Sequence, residues 1–306
     1  KPEKKEDNMQ YREDIRKFLS CLFSDKHPDH FILVWTVPGK ISKFFTAIED
    51  ASQYVESVRD NHNVYFGVGL QDSPSKKGRG EFEDIAGITG LWLDLDIAHE
   101  AHQKKNLPES VDEVMDIMQG VQWNPTMVIH SGHGLQLYWR FRETYETDTP
   151  EERNSAQLLV KRFQRFVLEL FLLRGYTIDS THDLTRVMRV GGTLNAKKDP
   201  VVPVRIISID DSVHYNPSDF DDLPEIEEDK SDLPQVIINA EGLILDPQAN
   251  PPMEKFEALI EADIKFEQSW HHKRKDFPSG DTSQSTYDQS LATLAAMAGW
   301  EDQEIV

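Results

Sequence analysis

A chain of 306 residues, with 38% hydrophobic and 28% charged side chains, is long enough for one large domain or two ordinary ones, each with its own core. It has no apolar run near the roughly 20 residues that a membrane-spanning helix needs, so a helical membrane protein is excluded and no membrane partner is expected. The formal net charge of −21 argues against indiscriminate nucleic-acid binding.

The charge is unevenly distributed along the chain. Residues 219–306 contain 21 acidic and 6 basic side chains, whereas residues 1–218 contain 33 acidic and 27 basic ones. The first part can therefore present a basic surface although the whole chain is acidic. The single cysteine, Cys21, excludes an intrachain disulfide, a cysteine-based zinc site and an iron–sulfur cluster, and it fits a reducing, cytoplasmic setting.

Hydrophobic periodicity predicts alternating helices and strands as far as residue 207. In chain order we expect a helix over 9–24, a strand over 29–36, a helix over 43–60, a strand over 63–70, a buried strand over 90–97, a helix around 111–118, a strand over 125–129, a strand over 135–141, a long helix over 150–174, an extended segment over 176–179 and a strand over 201–207.

The composition changes after this region. Residues 216–234 are rich in Pro, Asp and Glu, which is typical of a linker, and helical patterns follow over 253–262 and 285–298. We therefore predict a first domain over 1–215, an acidic linker over 216–240 and a small all-helical domain over 241–306.

The predicted strand over 90–97 carries two carboxylates, Asp94 and Asp96, among five apolar side chains. Because residues i and i+2 of a strand point to the same face, the two carboxylates emerge side by side from a buried element. Desolvating a carboxylate costs several kcal/mol, and two parallel carboxylates repel each other, so a divalent cation is the usual remedy. The pattern favours a metal site over a strand end that merely reaches water.

Other segments carry residues suited to binding phosphate or metal. The strand over 125–129 runs into the turn His130-Ser131-Gly132-His133-Gly134, and a short extended segment ends at Asp179. A loop then follows Arg189 with the sequence Gly-Gly-Thr-Leu-Asn-Ala-Lys, which ends at Lys197. Just before the two-Asp strand lies a flexible basic loop over 72–80 that contains Arg79.

In this order and spacing the segments resemble the archaeo-eukaryotic primase superfamily, in particular the primase-polymerases of phages, plasmids and other mobile elements. That family shows an Asp-x-Asp or Asp-x-Glu strand, a Ser-x-His turn and a third acidic residue upstream of an Arg; in the mobile-element branch a phrase like Arg-x-x-Gly-Thr-x-Asn-x-Lys follows. The resemblance covers roughly residues 30–210. It implies an α/β (α+β) fold, with an RRM-like catalytic sheet, an N-terminal α/β subdomain and a helical domain after them.

The resemblance also implies an activity: template-dependent synthesis of nucleic acid from nucleoside triphosphates, as a DNA primase, a DNA polymerase or both. Asp94, Asp96 and Asp179 would hold two Mg²⁺ or Mn²⁺ ions, one activating the primer 3′-hydroxyl and one holding the triphosphate. The implied partners are a single-stranded DNA template, a primer, dNTPs or NTPs and a downstream helicase, in prokaryotic or viral replication. The residues implied to contact the incoming nucleotide are Ser131, His133, Arg189, Lys197 and Arg79.

Several assignments have alternatives. Asp183 could replace Asp179 as the third carboxylate, although it could equally cap the segment that follows it, and Arg186 could replace Arg189. His133 could be a turn residue bound to the backbone. The position before Gly-Thr in the downstream phrase is often Pro in the family and is Gly192 here, and one cysteine cannot form the zinc knuckle of some members.

Two other classes of function compete with the primase-polymerase interpretation. A metal-dependent nuclease or rolling-circle initiator usually needs a His-x-His metal pair, whereas His130 and His133 are three residues apart. A catalytically silent nucleic-acid-binding module has no need of three acidic residues. The sequence favours neither, and it leaves the choice between ribonucleotides and deoxynucleotides open.

Overall fold

The computed structural model describes residues 3–76, 78–98, 106–197, 199–225, 251–274, 277 and 284–305; of residues 3–8, 285, 302 and 303 it describes the backbone only. The chain divides into two compact units, Lys1–Glu225 and Ile226–Val306. No helix within the described ranges is long and apolar enough to cross a membrane.

The first unit contains helices α1 (Glu3–Phe23), α2 (Ile48–Val58), α3 (Val111–Met118) and α4 (Pro150–Leu173), and short 3₁₀ turns at Phe82–Asp84 and Pro217–Phe220. Its strands are β1 (Ile32–Val37), β2 (Ile41–Phe45), β3 (Asn63–Gly67), β4 (Gly69–Gln71), β5 (Ile85–Asp96), β6 (Met127–His130), β7 (Gly134–Glu146), β8 (Val187–Arg189), β9 (Leu194–Asn195), β10 (Val202–Pro203) and β11 (Arg205–Ile209).

The strands form two main sheets. One has four strands in the order β2-β1-β3-β8, the other has five in the order β11-β6-β7-β5-β4, and β9 and β10 form a separate pair. The strands pair antiparallel throughout. Helices combined with antiparallel sheets confirm the predicted α/β (α+β) class.

Helices cover both faces of the five-stranded sheet, so its central strands are buried. Leu91 of β5 lies opposite Trp139 of β7, and the Trp139 ring packs 4.7 Å from Phe163 of α4. On the other face Trp92 lies opposite Tyr138, whose ring is 5.9 Å from Phe18 of α1. The carboxylates predicted to be functional, two and four residues after Trp92, share this second face.

The chain passes from one sheet to the other at Val68, so the strand predicted over 63–70 is in fact two strands. β3 pairs with β1 and β8, whereas β4 pairs with β5. The backbone is closely packed here: a Cβ atom at Gly69 would lie 2.6 Å from the carbonyl oxygen of Leu184, in the segment before β8. The two glycines around Val68 therefore permit a close crossing of the backbone.

The helix predicted over 43–60 is wrong at its start. Residues 41–45 form β2, which folds back on β1 so that Phe44 pairs with Leu33. The turn between the strands contains Gly39 with φ +100° and Lys40 with φ +50°. The helix begins only at Ile48, because apolar residues alone do not distinguish a strand paired by a hairpin from a helix start.

The end of the first unit also differs from the expected boundary. Residues 216–225, the start of the predicted linker, belong to the first unit, where Phe220 is fully buried and its ring lies 4.9 Å from that of Trp123. The rest of the predicted linker lies outside the described residues. The extended segment predicted over 176–179 forms no strand, and the loop after Arg189 contains the short β9.

In the second unit the described residues form helices α5 (Met253–Ala262), α6 (Ile264–Trp270), α7 (Gln284–Met297) and α8 (Asp302–Ile305). The helical character and two of the helices agree with the sequence pattern, whereas α6 was not predicted. An aromatic cluster holds α5 and α6 together, with the Phe256 ring 4.7 Å from Trp270 and 5.9 Å from Phe266.

Candidate active site

Asp94 and Asp96 lie side by side at the end of β5, as the strand pattern predicts. Asp94 pairs with Gln136 of β7 and Asp96 pairs with Gly134. Both carboxylates are half-buried. The hairpin formed by β6 and β7 therefore brings its turn directly beside the second carboxylate.

Gln136 orients the first carboxylate. Its side chain is 3% exposed, and its Nε2 donates a hydrogen bond to Asp94 Oδ1 at 3.2 Å. Its Oε1 accepts hydrogen bonds from the Tyr138 hydroxyl at 3.1 Å and from the Arg189 backbone N–H at 3.2 Å. Sequence reasoning missed Gln136; the signal was a polar residue on the strand that follows the Ser-Gly-His turn.

The surroundings of Asp94 disfavour its negative charge. Burial raises the pKa of Asp94, the Asp96 charge raises it further, and the hydrogen bond from Gln136 opposes this change. Arg186 and Arg189 also lower the Asp94 pKa, so both candidate arginines act electrostatically on this carboxylate. Two adjacent carboxylates in a partly desolvated position are a donor set that fits a hard divalent cation.

The Ser-Gly-His turn is anchored next to the carboxylate pair. The Ser131 N–H donates to the Gly134 carbonyl at 2.8 Å, and the Ile97 N–H donates to the His133 carbonyl at 3.2 Å. Gly132 has φ +102°, and a Cβ atom there would lie 2.7 Å from Val202 Cγ2. The turn therefore requires glycine both for its backbone conformation and for space.

Arg189 lies at the end of β8 and is 6% exposed. Its Nη1 donates to Asn63 Oδ1 at 3.0 Å, and its guanidinium lies 4.8 Å from the centroid of the Tyr65 ring. Burial lowers the Arg189 pKa, whereas Tyr65 and Asp94 raise it. The predicted phosphate-binding arginine is thus buried and hydrogen-bonded, and it lies close enough to Asp94 for their charges to interact.

A chain of hydrogen bonds joins Arg189 to the Ser-Gly-His turn. Asn63 Oδ1 also accepts the N–H of Ala196 at 2.9 Å, in the loop that follows Arg189. In the same loop Asn195 donates from Nδ2 to the Ser131 carbonyl at 2.8 Å and accepts the Lys197 N–H at 3.1 Å. Asn63 was missed because its role depends on a residue 126 positions away.

The two remaining predicted residues, Lys197 and Arg79, are exposed, unlike the buried Arg189. The Lys197 side chain is exposed at the end of this loop. Arg79 lies over the Trp35 ring, with its guanidinium carbon 5.2 Å from the ring centroid, and Gln71 Nε2 donates to its carbonyl at 2.8 Å. Arg79 is therefore located at β1 of the four-stranded sheet rather than in the hydrogen-bonded chain around Asp94.

The segment that carries the third acidic residue runs beside β5. Trp92 Nε1 donates to the Thr181 carbonyl at 2.8 Å, and Gln164 Oε1 accepts the Thr181 N–H at 2.7 Å. Asp179, just before this anchor, is exposed, whereas the Asp183 carboxylate lies 3.1 Å from Arg186 Nε. Asp179 and Asp183 therefore flank Thr181, which is held against Trp92. Trp92 lies two residues before Asp94 in β5.

The carboxylates are not assembled into a complete metal-binding triad. Among the described residues, no group of three or more His, Cys, Asp and Glu side chains could hold a metal ion. The structure brings Asp94 and Asp96 together but does not bring Asp179 or Asp183 to them as a third ligand. The donor set in place is therefore a pair.

Arg162 of α4 has a structural role. Arg162 donates hydrogen bonds to the carbonyls of Pro224, Asp221 and Leu223, and thereby fixes the end of the first unit. Arg165 lies 3.4 Å from Glu169 on the same helix face. Both arginines therefore make contacts within the first unit.

No protein-family model and no curated protein matches the chain. A similar solved structure is the AEP domain of the cyanophage S-2L primase-polymerase, with 16% identity and a TM-score of 0.47 over 70% of this chain and 98% of that one. The catalytic domain of primase RepB′ in complex with initiator DNA has 11% identity and a TM-score of 0.41 over 68% of this chain and 91% of that one.

Primase RepB′ itself has 13% identity and a TM-score of 0.41 over 95% of this chain and 84% of that one. These proteins are primases or primase-polymerases, the kind of protein that the sequence motifs resemble. TM-scores below 0.5 are too low to transfer a function to this chain, so the residues of the site have to support it.

Proposed function

We propose that this chain synthesises nucleic acid from nucleoside triphosphates on a single-stranded DNA template, as a primase, a polymerase or both. One observation carries the proposal: hydrogen bonds, together with short covalent stretches of chain, connect the Asp94 carboxylate, through Gln136 and Arg189, to the Ser-Gly-His turn. Phosphoryl transfer needs carboxylates and phosphate-binding groups in one fixed arrangement, and this network supports the proposal because it connects the carboxylate to the groups proposed to bind phosphate.

Each group in the network has a proposed role. The Arg189 guanidinium and His133 bind the triphosphate of the incoming nucleotide, and the glycine at 132 lets the backbone approach the phosphates. Ser131 and Lys197 are proposed to add further phosphate contacts. Gln136 is a positioning residue that keeps Asp94 Oδ1 fixed through its 3.2 Å hydrogen bond.

The carboxylates supply the metal site in this proposal. We assign Asp94 and Asp96 to hold Mg²⁺ or Mn²⁺, and we propose Asp179 as the third carboxylate of a two-ion centre, although in this structure it lies apart from the pair. The chemistry that such ions supply is neutralisation of phosphate charge and activation of the primer 3′-hydroxyl. Burial and the Asp96 charge raise the Asp94 pKa, and a bound cation would offset both effects.

The test is a synthesis assay with the full chain. The protein is incubated with single-stranded DNA, with and without an annealed primer, in Mg²⁺ or Mn²⁺ with dNTPs or NTPs. We expect new strands, and we expect Asp94→Asn/Asp96→Asn to reduce their rate roughly a hundredfold or more, because the site loses its charge complement to the cation. The matched control is Asp221→Asn/Asp222→Asn, which removes two exposed carboxylates of the same unit.

The outcomes separate the candidate functions. Products without a primer establish a primase, and products only from a primer establish a polymerase. A shortened template, with loss of that shortening in the Asp94→Asn/Asp96→Asn variant, supports a nuclease and overturns the proposal. Template binding without synthesis under all four nucleotide and metal combinations supports a silent binding module.

A further inference from the structure

A row of side chains crosses the four-stranded sheet and ends beside the candidate active site. Trp35 of β1 pairs with Tyr65 of β3, and Tyr65 pairs in turn with Arg189 of β8. The Trp35 and Tyr65 ring centroids are 5.4 Å apart. Because directly paired residues point to the same face, we define Trp35, Tyr65 and the arginines next to them, Arg79 and Arg189, as the aromatic row.

The two faces of this sheet are different. One face packs against α1 and α2 through fully buried residues such as Val34, and the Phe66 ring lies 5.2 Å from Phe18. On the opposite face both rings of the aromatic row are only half-buried. Aromatic side chains that are not needed to fill the core and remain partly exposed on a sheet are suited to stacking with a ligand.

Both ends of the row carry a positive charge. The Arg79 guanidinium carbon lies 5.2 Å from the Trp35 ring centroid, and that of Arg189 lies 4.8 Å from the Tyr65 ring centroid. Of these two arginines Arg79 is exposed and Arg189 is buried, so the positive charge that a ligand can reach directly is that of Arg79. Alternating rings and arginines match the bases and phosphates of a nucleic-acid strand.

We propose that the aromatic row binds the single-stranded template and leads it to the active site. The bases stack on Trp35 and Tyr65, and Arg79 swings from the Trp35 ring to a backbone phosphate. A single strand is the occupant because the bases of a duplex already stack on one another and expose no faces. The identity of this strand as the template rests on the proposed function; the binding itself does not.

The position of the row supports this path. Arg189 belongs to both the row and the active site, because its backbone N–H donates to Gln136 Oε1 and Gln136 donates to Asp94. A nucleic-acid strand that stacks on Tyr65 therefore lies next to Arg189, whose backbone contacts Gln136, the residue that orients Asp94. The strands of a sheet lie about 4.8 Å apart, so two paired rings can accept neighbouring bases of a strand that crosses the sheet.

The test measures binding without metal or nucleotide. The full chain is titrated into fluorescein-labelled single-stranded DNA, and the anisotropy gives Kd for the parent, Trp35→Leu and Tyr65→Leu. We expect each loss of a ring to weaken binding roughly fivefold or more, and unlabelled duplex DNA to compete poorly. Trp35→Phe and Tyr65→Phe keep a ring and should bind within about twofold of the parent.

Two controls distinguish stacking from a general loss of structure. Tyr54 is also half-buried and packs 5.4 Å from Phe45, but on the opposite face of the sheet, so Tyr54→Leu should leave Kd unchanged. Arg79→Ala alters an exposed side chain that the core does not need; it should weaken binding and reduce the slope of log Kd against log salt by about 0.7. Thermal unfolding monitors the fold of each variant.

The results separate this proposal from the proposed function. If Trp35→Leu, Tyr65→Leu and Arg79→Ala all fold and bind single-stranded DNA within twofold of the parent, the aromatic row is not a binding surface, even where synthesis occurs. If ring loss weakens binding but no strand is ever synthesised, the binding surface stands and the proposed activity fails. If a leucine variant does not fold, Arg79→Ala alone decides: an unchanged Kd and salt slope overturn the proposal.

Discussion

At the scale of single residues, the site combines charges that cost folding free energy with neighbours that hold them in place. Burial raises the pKa of Asp94, and the Asp96 charge adds to this increase, while Gln136 and two arginines oppose it. Such an arrangement is expected where a charge serves a ligand rather than the fold, since burying a well-packed neutral side chain costs less free energy.

This balance predicts a gain in stability when the charge is removed. The pKa of Asp94 is higher in the folded state, so its favourable contribution is present at low pH and is lost as pH rises through the folded-state pKa. At pH 7 in metal-free buffer we expect Asp94→Asn to raise the free energy of unfolding by roughly 0.5–2 kcal/mol. The gain should shrink towards pH 4, as measured by urea denaturation.

The exposed Asp72, changed to Asn, is the control for this measurement and should show no comparable gain. A lower unfolding free energy for Asp94→Asn than for the parent at pH 7 would contradict the account of a strained carboxylate.

At the scale of elements, the hairpin of β6 and β7 fixes the distance between the Ser-Gly-His turn and the carboxylates. The turn is held on both sides, by the Ile97 N–H and by the Asn195 amide. Its conformation depends on Gly132, at which any side chain would meet Val202 and Asn195. The element is therefore intolerant of change at this one position.

Gly132→Ala should lower the free energy of unfolding by roughly 1–3 kcal/mol and reduce synthesis, because the turn must shift away from β10. Gly175→Ala is the matched control: its φ is also positive, at +87°, but a Cβ atom there has nothing within 4 Å. It should cost only the backbone strain, about 1 kcal/mol, and leave synthesis unaffected. Equal losses in both variants would show that the space at position 132 is unimportant.

Sequence patterns predicted those elements whose defining residues lie close together in the chain. The two-Asp strand, the Ser-Gly-His turn and α4, with its Thr149 and Glu152 capping box and Pro150, were all predictable from residues close together in the chain. β2 and the crossing at Val68 were not, since both depend on pairing partners. In the candidate site, the motifs pointed to Asp94, Asp96, Ser131 and Arg189, and their roles stay predictions.

The groups that hold these motifs together could not be found in the same way. Gln136 acts on residues 42 and 53 positions away, and Asn63 acts on one 126 positions away. Their roles depend on strand register, which a single sequence does not specify across distant elements. The resemblance implies that Arg79 contacts the triphosphate, whereas the structure places its guanidinium over Trp35.

At the scale of the whole molecule, the first unit has its own hydrophobic core. The main cluster of buried residues runs from Ile15 to Leu223 and contains no described residue of the second unit. The last contributors, Phe220 and Leu223, are 0% and 3% exposed and lie beyond the boundary at 215 that the sequence predicted. The end of this unit is therefore part of its core.

Two truncated chains test this boundary. Residues 1–225 should fold with a cooperative thermal transition, because they retain the whole cluster. Residues 1–215 lack Phe220 and Leu223, and should be less stable by about 3–5 kcal/mol or fail to fold, as expected for the loss of a buried phenylalanine. Calorimetry compares the two; equal melting temperatures would show that residues 216–225 do not belong to the core.

In the proposed function, Asp94 and Asp96 hold the metal ions that catalyse templated nucleotide addition. The most direct measurement is single-nucleotide extension of a labelled primer on a template with one defined unpaired base, in Mn²⁺, with each nucleotide supplied separately. We predict one added nucleotide, only when it complements the template base, and no product from Asp94→Asn/Asp96→Asn. Extension that persists in this variant, or a shortened primer or template in its place, would contradict the claim.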